Sequence, residues 1–163
     1  MAREYTISGD NITVSGSPII VWFNPNAAPS ATFEVIRAWA SQRANATSAQ
    51  QGIQFGTKVT AFPTVVSATP SLTKLTDPAS KLVGGTTGAA GTCGINASAN
   101  GAGAETVIYS DNFNVLNGWL WVATPAETVV LGAGSASGFY LKFTSTPGTL
   151  TAWSFGIAYR ELG

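Results

Sequence analysis

Along this chain the spacing of apolar residues changes several times, and each change predicts an element. Tyr5 to Ser8 and Ile12 to Ser15 are short Thr/Val/Ile-containing stretches on either side of Gly9-Asp10-Asn11, which reads as a hairpin. Ile19-Ile-Val-Trp-Phe23 is apolar throughout, as in a strand buried on both faces, and Asn24-Pro-Asn-Ala-Ala-Pro29 stops it. From Ser30 to about Arg43 the period lengthens. Phe33, Ile36, Trp39, Ala40 and Arg43 recur at three- and four-residue steps, with Ser30 placed to cap and Glu34 in the first turn. This predicts one short helix near residues 31–43, weakened by the β-branched pair Val35-Ile36.

Two-residue alternation returns at Ile53, Phe55, Thr57, Val59 and Ala61, and Phe62-Pro63 ends it. Thr64 to Ser67 and Leu72 to Leu75 read as short strands. Residues 76–104 are dominated by Ala, Gly, Ser and Thr and read as a long Gly/Ala-rich loop. Five further strands follow: Thr106 to Tyr109, Trp119 to Val122, Glu127 to Leu131, Phe139 to Thr144 and Ala152 to Arg160. Most are separated by turn signals such as Asn117-Gly118 and Pro147-Gly148. In the last strand Trp153, Phe155, Ile157 and Tyr159 fall on one face, and Ser154, Gly156, Ala158 and Arg160 on the other. About ten strands with one helix predict an all-β, antiparallel, jelly-roll-like sandwich in a single domain over residues 1–163.

Composition narrows the function. The chain has 8 Lys+Arg, 8 Asp+Glu and no His, so only 10% of it is charged, against roughly 25% in an ordinary soluble protein. Zero net charge with scattered cations argues against direct nucleic-acid binding. No apolar run is long enough to cross a membrane as a helix, and no signal peptide is apparent, so synthesis in a cytoplasm is expected. The absence of His removes the commonest general base and metal ligand. Ser71-Leu-Thr-Lys74 matches a serine–lysine pair, but it lies in a β-type run where residues three apart point to opposite faces. The carboxylates form no obvious pair for glycoside chemistry. Asp10-Asn11 and Asp111-Asn112 lack the spacing of a Ca²⁺ loop, and Gly101-Ala-Gly103 lacks the frame of a dinucleotide site. Cys93, the one thiol, has no clustered cation beside it and reads as inert. The sequence thus predicts a non-enzyme without cofactor or metal. Trp22, Trp39 and Trp153 read as core, and Trp119 and Trp121 as core, subunit interface or sugar-stacking platform.

Several stretches resemble small virion proteins of tailed bacteriophages. They are Trp39-Ala-Ser-Gln42, Asn45-Ala-Thr-Ser-Ala-Gln-Gln51, Thr60-Ala-Phe-Pro63 with Ser67-Ala-Thr-Pro70, and Asn117-Gly-Trp-Leu-Trp121 with Pro125-Ala-Glu-Thr-Val-Val-Leu131. The resemblance spans residues from about 30 to the end and rests on overall texture, not on a diagnostic motif. It implies a β-sandwich cement (decoration) protein on the outer capsid surface. Such a protein forms a homotrimer and clamps neighbouring major capsid proteins. On that reading the candidate subunit or capsid contacts are Trp119, Trp121, Trp153 and Tyr159 on the C-terminal strands. Gly84, Gly85 and Cys93 in the Gly/Ala-rich loop complete the set. A tail or fibre component, or a carbohydrate-binding sandwich, is the alternative.

Overall fold

Side chains that stand off a pleated ribbon, Val, Ile, Thr and the aromatics, recur through this chain. The computed structural model describes residues 3–16, 18–25, 32–67, 71–74, 80, 82–84, 92–132 and 137–163. Among the described residues there are thirteen strands and no helix. They are β1 (Arg3–Ile12), β2 (Ile19–Asn24), β3 (Thr32–Gln42), β4 (Gln50–Val59), β5 (Thr64–Ser67), β6 (Ser71–Lys74) and β7 (Val83–Gly84). Then come β8 (Thr92–Ala99), β9 (Glu105–Asn114), β10 (Trp119–Val122), β11 (Val129–Leu131), β12 (Ser137–Phe143) and β13 (Trp153–Leu162).

One sheet runs β10-β3-β13-β1-β6, with β11 also paired to β3; the other runs β5-β8-β2-β12-β4-β9. Pairing is antiparallel except for β7, which lies parallel to β8. Set aside the excursion β5–β8 and the short β11, and β1-β13-β3-β10 faces β2-β12-β4-β9. That is the order of a jelly roll, two Greek keys closed face to face. Strands β5 and β8 widen the second sheet, and β6 crosses to the edge of the first.

The core lies between the sheets. Phe23 of β2 sits among Phe139, Phe33 and Tyr159, with ring centroids 5.5, 5.9 and 5.8 Å away. All four rings are at most 1% exposed. Each such side chain removed from water stabilises the fold by about 1.5–3 kcal/mol. Trp153, Phe155, Ile157 and Tyr159 share the inner face of β13, as their alternation predicts. β2 is buried on both faces as its apolar run predicts, because Ile19, Trp22, Ala97 and Tyr140 form a second cluster.

Three elements differ from the sequence reading. The segment expected as a helix near residues 31–43 is β3, between β10 and β13. Its core face carries Phe33 and Val35, then Ala38, Ala40 and Gln42. Opposite it, Tyr159 pairs with Val35 but Ala158 with Arg37, so Ile36 is the extra residue of a β-bulge. The carbonyl of Ile36 accepts a hydrogen bond from the Ala123 amide at 3.0 Å. One inserted residue turns a two-residue step into a three-residue step and imitates a helical period.

The hairpin expected at Gly9-Asp10-Asn11 is absent. β1 runs through it to Ile12 against β13, and a register shift between Gly9 and Ile12 absorbs the positive φ (55°) of Asn11. Within the expected loop at 76–104, Thr92–Ala99 is strand β8, lying between β2 and β5, and Val83–Gly84 is β7. Gly94 stands opposite Trp22, so the low bulk of this segment meets a bulky neighbour.

Candidate interaction surface

The strand pattern first decides where the predicted contact residues go. Trp153 and Tyr159 are 1% and 0% exposed on the inner face of β13. The Trp153 indole N–H donates to the Thr149 carbonyl at 2.8 Å, and the Tyr159 hydroxyl lies 2.6 Å from that of Ser80. Cys93 is buried in β8, where burial pushes its thiol up to about 12. Trp119 and Trp121 are each 8% exposed on the inner face of β10. The Trp119 N–H donates to Asp111 at 3.2 Å, and the Trp121 ring packs on Phe55 with centroids 4.6 Å apart. These five side chains belong mainly to the core, which corrects the expected interface; only an edge of Trp119 and of Trp121 reaches a surface hollow. The opposing sheet covers the face on which each of them lies. Gly84 sits in β7 opposite Cys93. Gly85 lies outside the described residues.

The exposed apolar residues lie elsewhere. On β10, Leu120 (64% exposed) and Val122 (57%) alternate with the two tryptophans and point outward. Val130 on β11, Val107, Ile108 and Tyr109 on β9, and Leu116 in the turn between β9 and β10 are exposed as well. Seven of the eight exposed large hydrophobics among the described residues thus fall between Val107 and Val130; Leu150 is the other.

Topology gathers them. β9 is the free edge of the second sheet, and β10 and β11 form an edge of the first. Tyr109 joins these edges. Its ring stacks on Phe55 at 5.3 Å and lies 6.5 Å from both Trp119 and Trp121. Between its charged residues Glu105 and Asp111, β9 reads Thr106-Val-Ile-Tyr-Ser110, an uncharged stretch of edge strand with a register shift opposite Phe55 and Gly56. Sequence reasoning passed over this edge. The available signal was Trp119-Leu-Trp-Val122, a strand apolar on both faces, of which a two-layer sandwich covers only one.

Charge adds a second feature. Glu105 pairs with Lys58 and Lys142, Arg160 with Glu4 and Glu34, and Arg43 with Asp10. Arg37, Asp111 and Glu127 have no ion-pair partner among the described residues. Asp111 accepts hydrogen bonds from Trp119 and from the Tyr109 hydroxyl (3.4 Å), and Glu127 accepts one from the Thr124 hydroxyl at 3.0 Å. Burial first, then the Asp111 and Glu127 charges, push the Tyr109 phenol upward, so both carboxylates act on that ring. Arg37 lies over the Trp39 ring, 5.3 Å from its centroid, on the outward face of the first sheet. There a shallow depression of about 620 Å³ is lined by Arg37, Val122, Pro125 and the ladder Glu4–Arg160–Glu34. A smaller hollow of about 170 Å³ lies among Phe55, Ile108, Tyr109, Trp121 and Glu127.

The other candidate chemistries do not assemble into a site. Ser71 and Lys74 belong to strand β6, where the serine–lysine motif would need a helix start. Asp10 bonds to Ser154 and Arg43, which together with the Asn11 amide outweigh burial and hold its carboxyl below the usual range. Among the described residues, no three His, Cys, Asp or Glu side chains group as metal ligands. No family model matches the chain, and no curated protein does.

Proposed function

We propose that this is a structural virion protein, a capsid cement or decoration protein that binds the outer shell as a trimer. There it would stabilise contacts between major capsid proteins. The observation that supports this most is the gathering of exposed apolar side chains on one side of a sandwich that carries few charges. Cores of protein–protein interfaces are depleted in Lys, Glu and Asp in the same way. A trimer attaches at three points at once, so modest single contacts multiply through effective concentration. Strain on the shell is then resisted because several subunits must let go together. Bacteriophage context comes from the sequence resemblance, and the exposed apolar edge supports an assembly role.

Mass analysis of purified virions with copy number per particle tests the reading. Hundreds of copies are expected, together with co-sedimentation with shells that persists as salt is raised. A handful of copies would move the protein to the tail or fibre. The hollow beside Tyr109, with its aromatic walls and one carboxylate, favours carbohydrate binding as the second reading. A chain that stays monomeric and is eluted from a polysaccharide resin by free sugar would establish that instead.

A further inference from the structure

We propose that the β9–β11 edge is the surface through which copies of this chain meet head to tail. Arg37 of one copy would then lie against Glu127 and Asp111 of the next. This rests on the assembly reading above for the nature of the complex; the surface itself follows from three observations.

The first is extent. Seven large apolar side chains from Val107 to Val130, each 37–64% exposed, lie on the neighbouring edges β9 and β10/β11 of the two sheets or in the turn between them. The second is the edge of β9, on which no further strand pairs among the described residues, so that much of its outward backbone is open to another strand; the Asn112 amide is taken by Asp111.

The third observation identifies the occupant. The patch has two sides. The outward face of the first sheet carries Leu120, Val122 and Arg37, while the β9 side carries Ile108, Tyr109 and the two carboxylates. Each side holds charge without an ion-pair partner among the described residues, and the signs are opposite. A second copy supplies both complements at once: the cation meets the anions and each apolar half covers the other. A contact between two different sides of the molecule is heterologous, so repetition closes a ring when the rotation allows it.

Sedimentation velocity over a concentration series, using the full chain, tests the surface. Arg37→Glu and Glu127→Arg should each weaken self-association about tenfold or more, and the double variant R37E/E127R should regain most of it. Leu120→Asp should also weaken association, whereas Leu150→Asp, outside the patch, should leave it as it was. All four positions are solvent-exposed, and unchanged thermal melting confirms that each variant folds. The surface is overturned if the unaltered chain stays monomeric throughout. It is equally overturned if the charge reversals have no effect, or if the double variant is no better than the singles. Self-association through this edge without binding to shells would support the surface and overturn only the cement role.

Discussion

Lys58 shows how few charges this chain tolerates inside and on what terms. Its side chain is 2% exposed, and its ammonium donates to the Gly103 carbonyl at 2.6 Å and to Glu105 at 3.2 Å. Lys142 holds the other oxygen of Glu105. Removing one partner of a buried pair strands the other, so Glu105→Ala is expected to destabilise the fold by about 3 kcal/mol. Lys58→Met, which removes the buried charge and leaves Glu105 with Lys142, should be nearly neutral; urea denaturation of both variants checks this. Burial alone would raise the Glu105 carboxyl, but hydrogen bonds and charge from Lys142 and Lys58 outweigh it, and the net shift is downward from 4.5. A lowered carboxyl contributes stability that is present above its ordinary range and is lost as pH falls through its folded value. The acid limb of the stability curve should therefore be shallower in Glu105→Gln. Cys93 behaves in the opposite sense. Its thiol, raised by burial to about 12, stays neutral in the fold, and the stability this gives is lost as pH rises from 9.0 toward 12. Alkylation of Cys93 by iodoacetamide at about pH 8.5 should track unfolding, with the native chain protected.

β3 depends on a neighbour that its own sequence does not reveal. Trp39 lies across β13, where a Cβ placed on Gly156 would fall 2.4 Å from the indole and 2.7 Å from the Ile7 carbonyl oxygen. Gly156→Ala is therefore expected to lower stability by about 1–3 kcal/mol and to shift Trp39 fluorescence, since the ring has to move. The local alternation in β13 and β10 was legible because both strands keep one phase from end to end. β3 was not, because its bulge exists only against the register of β13, and Ile36 and Trp39 face outward as apolar residues. The Asn117-Gly118 turn was legible for a local reason. Gly118 takes a φ of +70°, the conformation that glycine supplies at no steric cost.

The whole molecule joins two sheets whose free edges, β9 and β10/β11, meet through one tyrosine. If apolar contact carries assembly, binding to shells should survive raised ionic strength, since screening acts mainly on exposed charge pairs. The all-β sandwich followed from strand content and turn spacing, because two-residue alternation and β-branched content are properties of neighbours in sequence. The low charge and the burial of β2 on both faces followed in the same way. Which alternating face meets the opposite sheet is a different kind of fact. It placed Trp119 and Trp121 inside and Leu120 and Val122 outside, and it brought Val107 to Tyr109 beside them from another sheet. It also made a strand of Thr92–Ala99, whose small residues carry little strand signal until Trp22 lies opposite them. The sequence determined that the chain would form ribbons with two faces and few charges. Tertiary structure alone decided which face was covered, because coverage depends on strands brought together from distant parts of the chain.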